Sequence, residues 1–130
     1  MAINWLAVLA AAASSFVLGG LWYSALFAKA WEKAAGLSDA QIESGNKPMI
    51  FGGSFLLALI ASASFAVFLG AEIDALTGAL YGLTAGLCWV TASFGINYLF
   101  ERKSLSLFLI NGGYHTLQFT LIGLILGAWH

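Results

Sequence analysis

Four runs of this chain contain no charged side chain: 3–28, 49–70, 76–100 and 105–129. Every Asp, Glu, Lys and Arg falls in the connections between them. An α-helix rises about 1.5 Å per residue, so about 20 apolar residues cross the hydrocarbon core of a bilayer. Each run is that long. Hydrocarbon offers no hydrogen bonds to a backbone, so a run of this kind is stable there only as a helix or in a closed barrel. The reading is all-α: a single domain over 1–130, a polytopic four-transmembrane-helix bundle.

Composition closes off the soluble alternatives. Only 8% of the residues are charged, 61% are hydrophobic, and the mean hydropathy is +0.90. An average soluble domain is about 25% charged. Lipid is therefore the expected solvent and the first partner. The net charge of −1 supplies no basic field for nucleic acid. A single cysteine, Cys88, excludes an internal disulfide and a paired-cysteine metal site.

The first run is too long for the core of a signal peptide. Ala7, Ala11, Ser15 and Gly19 recur along it every fourth residue, a smooth stripe suited to close helix contact. The second run repeats the pattern in Ala58, Ser62, Ala66 and Gly70. The third carries a tandem GxxxGxxxG at Gly78, Gly82 and Gly86, and the fourth a GxxxG at Gly123 and Gly127. Such faces bring helix backbones together, within one chain or between subunits. A bundle this small has little interior, so a dimer or trimer through the first or third helix is expected.

The first connection has local signals of its own. Phe27, Trp31 and Ala34 share a helical face, which extends the first helix or turns it along the interface. Gly36 suits a helix stop, and Ser38 with Gln41 forms a capping box for a short helix ending near Gly45. Pro48 fits the first turn of the second span.

Orientation follows from the cations. Lys29, Lys33 and Lys47 lie in the first connection, and Arg102 and Lys103 in the third. The second connection carries Glu72 and Asp74, and the chain ends at Trp129 and His130. The positive-inside rule places loops 1 and 3 in the cytoplasm and both termini outside.

The fourth run holds the residues most in need of explanation. Asn111, His115 and Gln118 fall at i, i+4 and i+7, within about 60° of arc on a helix. His115 lies about 15 Å into the span, near mid-membrane, where polar groups mark either a ligand path or hydrogen bonds between helices. Trp89, Ser93 and Asn97 form a second face on the third helix that is expected to meet this stripe, and Tyr114 adjoins it. Asn111, His115, Gln118, Trp89, Asn97 and Tyr114 are thus the candidate ligand site, a polar cavity between the third and fourth helices. Trp22, Tyr23 and Trp31 are expected to be interfacial anchors.

Catalysis has little to stand on. The spans lack a carboxylate, and His115 and His130 are too far apart to hold one metal, so neither metal nor cofactor is expected. Three functions remain: binding or translocation of a small solute or proton; a structural or accessory subunit assembled through glycine faces; or, least supported, an enzyme acting on an apolar substrate.

Ile3-Asn4-Trp5, Gly19-Gly20-Leu21-Trp22-Tyr23-Ser24, Lys29-Ala30-Trp31 and Asn111-Gly112-Gly113-Tyr114-His115 together resemble the family DUF1761 over nearly the whole chain. Ala25 departs from the proline expected there in that family, which implies a straighter end to the first helix. The resemblance implies a small integral membrane protein of the bacterial inner membrane. It supplies no activity and no site residues.

Overall fold

The computed structural model describes residues 2–129, and all regular structure in that range is helical. His130, and with it the expected pairing of the last tryptophan and histidine at the interface, lies outside the described residues. The helices are α1 (Trp5–Leu26), α2 (Ala28–Ala35), α3 (Asp39–Glu43), α4 (Lys47–Leu69), α5 (Ala75–Glu101) and α6 (Leu105–Ala128). α1, α4 and α5 are each long and apolar enough to cross a membrane. α6 has 24 residues and no charge, but Asn111, His115 and Gln118 keep it out of that set. Its position explains the tolerance: α1, α4 and α5 all pack against it. Polar side chains there can meet protein instead of hydrocarbon.

The ends of the helices are decided by local chemistry. Asn4 caps α1, Asn46 caps α4, Asp74 caps α5 and Ser104 caps α6, each accepting a backbone N–H from three residues on. Four first-turn donors are thereby paired. Ser38 and Gln41 form the expected capping box on α3, and Pro48 sits in the first turn of α4. α2 ends at Gly36, whose φ of 72° is open to glycine at little steric cost. α5 ends on Arg102 in the same left-handed region at φ 58°, with the Lys103 N–H returning to the Tyr98 carbonyl.

Two stretches are wound wider than an α-helix: Leu21–Leu26 at the end of α1 and Ala85–Thr91 in the middle of α5. A π turn fits an extra residue into the helix and rotates everything beyond it. Both stretches matter for the site.

The glycine stripe of α5 finds its partner within the chain. A Cβ on Gly78 would overlap the Gly123 carbonyl oxygen, and one on Gly82 would overlap that of Phe119. One on Gly86 would lie 2.6 Å from the His115 oxygen. In return, Gly123 admits the Gly78 carbonyl and Gly127 that of Asp74. The contact is backbone on backbone, so α5 and α6 form one seam. The α1 stripe is occupied too: Ala7, Ala11 and Ser15 are fully buried, and Gly19 lies against the Tyr114 ring. The faces expected to hold subunits together thus hold this chain to itself.

Beside the seam, Val8, Phe65, Leu69, Ile122 and Leu126 form the apolar core where α1, α4 and α6 meet. The core occupies one end of the molecule. Residues 2–4, 70–71 and Trp129 lie together there, and the Asn4 side chain reaches the Trp129 carbonyl at 3.5 Å. At the other end α4 has left the bundle. Between Lys47 and Leu57 every residue except Phe55 is exposed. Among the described residues, α1 reaches that segment with a ring, Phe16 standing edge-on to Phe51 and Phe55.

Candidate functional site

The polar stripe of α6 lies in the half away from the apolar core. Asn111 uses both ends of its amide. Its oxygen accepts the Tyr23 hydroxyl at 2.5 Å, and its nitrogen donates to the Tyr98 hydroxyl at 2.7 Å. One side chain therefore ties α1, α5 and α6. Alongside, the Trp22 indole N–H donates to the Ile110 carbonyl at 2.8 Å, and the Tyr114 hydroxyl donates to the Ser15 carbonyl at 3.0 Å. Tyr23 stands edge-on to Trp31 and to Tyr114, with centroids 5.3 and 5.4 Å apart. Trp22 and Tyr23, expected as interfacial anchors, instead direct their polar atoms inward. Because the widened turn covers both residues, they follow a register that a 3.6-residue period does not give.

His115 has a different environment. Its Nδ1 lies 2.7 Å from the Gln118 side-chain oxygen. An amide oxygen only accepts, so Nδ1 carries the proton and Nε2 of the neutral ring keeps its lone pair. Nε2 has no hydrogen-bond partner among the described residues. The ring is stacked on Phe94, 5.0 Å between centroids and 13° between planes, and stands edge-on to Tyr114 at 4.9 Å. Gln118 is buried. Phe94, Tyr114 and Gln118 together fix the plane and tautomer of the imidazole and leave one acceptor free.

The third-helix face read from the sequence is not the one that meets the stripe. Trp89 is 57% exposed and stands edge-on to Phe68 of α4, and Ser93 and Asn97 are also exposed. Thr91, Phe94 and Tyr98 take their place. The cause is the wide turn at Ala85–Thr91: a register counted on from Gly78, Gly82 and Gly86 at α-helical spacing arrives at the wrong side chains. Thr91 donates to the Gly112 carbonyl at 3.0 Å, and a Cβ on Gly112 would lie 2.6 Å from its methyl.

The cavity expected between the third and fourth helices is likewise corrected. Those helices meet along the glycine seam, and the polar residues of α6 face α1 and the flank of α5. Two clefts lie elsewhere. One is small and lies at the chain ends. The other is an open apolar groove of about 410 Å³ between α1 and α4, lined by Trp5, Leu9 and Ile60 among others. The contacts that make up the cluster are hydrogen bonds and ring contacts.

These features define a class: an all-helical chain with three membrane-length helices and an aromatic–amide cluster on the helix that all three pack against. The chain belongs to DUF1761, a family of proteins of unknown function, whose model matches residues 6–127. No curated protein and no solved structure matches it.

Proposed function

We propose that this chain is a four-span integral membrane protein of the bacterial cytoplasmic membrane that binds a small molecule at His115. α6 is the fourth span, admitted despite its polar residues because Asn111, His115 and Gln118 find partners within the protein while Leu109, Leu117 and Leu124 face outward. All five Lys and Arg side chains belong to the connections at the end opposite Asn4 and Trp129, which supports loops 1 and 3 in the cytoplasm and both termini outside. The observation that carries the binding reading is His115 itself. The ring is held on three sides about 15 Å into α6, and one ring nitrogen has no partner. Polar groups at that depth are costly when unpaired.

Binding is favoured over translocation. Beyond Gln118 the same face of α6 continues into Ile122, fully buried in the apolar core with Phe65 and Leu126.

The test is native mass spectrometry of the protein released from mild detergent, wild type beside His115→Ala. An added mass retained by the wild type and lost in the variant is the expected result. A wild type with no added mass, and a variant changed only in stability, would assign the cluster to holding helices together, as Asn111 already does. The same spectra give the number of copies in the complex. The glycine seam is closed within the chain, so a dimer or trimer would have to form on other faces.

A further inference from the structure

His115, Phe119 and Ile122 fall at i, i+4 and i+7 on α6 and so point to one side of it. On that side Phe119 and Ile122 are covered by α4: Phe65 stands edge-on to Phe119 at 5.9 Å and shares the core with Ile122. Among the described residues no α4 ring stands against the His115 imidazole, and from Leu57 back to Lys47, toward loops 1 and 3, α4 is exposed apart from Phe55. α4 touches α5 near the other end, where Phe68 lies against Tyr81 and Trp89. The two helices therefore enclose a wedge, closed at the Phe68 end and open toward loops 1 and 3, with His115 and Phe94 on its floor. On α4, Gly52 and Gly53 have nothing within 4 Å of where a Cβ would stand. With the helices across a membrane, such a wedge opens sideways into lipid.

The chemistry of the floor selects what enters. Nε2 is an acceptor, so the guest must donate a hydrogen bond. Lys47 and Glu101 stand at the mouth and no charged residue lies deeper on either wall, so a charged headgroup at His115 would be desolvated without a partner. Phe94 already lies parallel to the imidazole, and its ring extends the floor as a flat surface suited to offset stacking of a further ring. We propose that His115 and Phe94 form a lateral binding site for a lipid-soluble aromatic alcohol, a phenol or quinol, which donates its O–H to His115 Nε2 and lays its ring along Phe94. This inference rests on the reading of the cluster as a ligand site and names the class of ligand.

The test uses the full chain with ¹⁵N-labelled histidine in phosphatidylcholine nanodiscs, titrated with decylhydroquinone, with its dimethyl ether and with dioleoylglycerol. The ether keeps ring and tail and loses the donor. The acylglycerol keeps a donor and loses the ring. Decylhydroquinone is expected to shift the His115 Nε2 resonance saturably and to bind at least tenfold more tightly than either control. His115→Phe, which keeps a stacking ring without the acceptor, is expected to bind hydroquinone and ether alike. The comparison of probes on the wild type stands even if that variant does not fold. Equal binding of the ether, or no shift of Nε2, overturns the donor assignment. Equal binding of dioleoylglycerol overturns the ring assignment. A mass that co-purifies with the wild type and is lost in His115→Ala, combined with either result, would leave the ligand site standing and remove only this class of occupant.

Discussion

The two halves of α6 solve the same problem by different means. From Phe119 to Gly127 the helix meets α5 through backbone, with no side chain between the chains at Gly78, Gly82, Gly123 and Gly127. From Ile110 to Gln118, beyond the last backbone contact at Gly86 and His115, it meets its neighbours mainly through long side chains that end in hydrogen bonds: Trp22, Tyr23, Tyr98 and Tyr114. The first half is dry and close and has one possible register. The second is assembled from tips, each with some freedom, and leaves a ring nitrogen over. In a bilayer, where apolar surface gains nothing by leaving lipid, close packing holds helices together and hydrogen bonds add modest terms. The halves should therefore differ in stability far more than in sequence.

Gly82→Ala tests the close half and is expected to have the largest effect. The added methyl group meets the Phe119 carbonyl and the Thr120 Cα, both main chain, so no rotamer relieves it. A loss at or above the upper end of about 1–3 kcal/mol for overpacking is expected in reversible unfolding from detergent. A variant as stable as the wild type would show that the seam is looser than described.

Asn111→Leu tests the second half. It removes two hydrogen bonds between helices, each contributing on average about 0.6 kcal/mol in membranes, so about 1 kcal/mol is expected. A double-mutant cycle with Tyr98→Phe would apportion it. A loss as large as that of Gly82→Ala would erase the contrast between the halves.

Gly53→Ala carries the contrast to α4. The residue type is the one at Gly82, but the site is open, so the helix gains and nothing is crowded. A stabilisation of about 0.5–1 kcal/mol is expected in the same unfolding assay. Destabilisation would mean that another surface lies against α4 at this point.

The smallest expected effect is at the end of the seam. The Asp74 carboxyl is held below its ordinary range by hydrogen bonds from the Thr77 hydroxyl and N–H. A lowered folded value means the contribution is present above the unfolded carboxyl's range and is lost as the pH falls through the folded value. Amide exchange in the first turn of α5 should therefore speed up in acid. In Asp74→Asn, which keeps the acceptor without the charge, that acid dependence should disappear.

How far the sequence could be read follows the same division. Charge-free runs, cap residues and glycine periods are local, and they set the helix limits to within a few residues. Ser38 with Gln41, Gly36 and Pro48 all act as their chemistry implies. The site depends on which side chains share a level and an angle across three helices, and that passes through the wide turns. The widened turn at Ala85–Thr91 replaced Trp89 and Asn97 by Phe94 and Tyr98, and no composition signal marks such a turn. Tyr23 was reachable by another route. Asn111 in a span needs both a donor and an acceptor, and Tyr23 lies at the matching depth on the antiparallel first helix.

The glycine seam also has a mechanical consequence. Each carbonyl sits where a Cβ in place of the facing glycine hydrogen would overlap it, so sliding α5 along α6 by one residue would drive a side chain into main chain. The pair can tilt together in a membrane but cannot shear. Any motion that changes access to His115 therefore falls to α4, whose first half is largely exposed and meets α1 at Phe16: it is the swinging wall, and the seam is its fixed post.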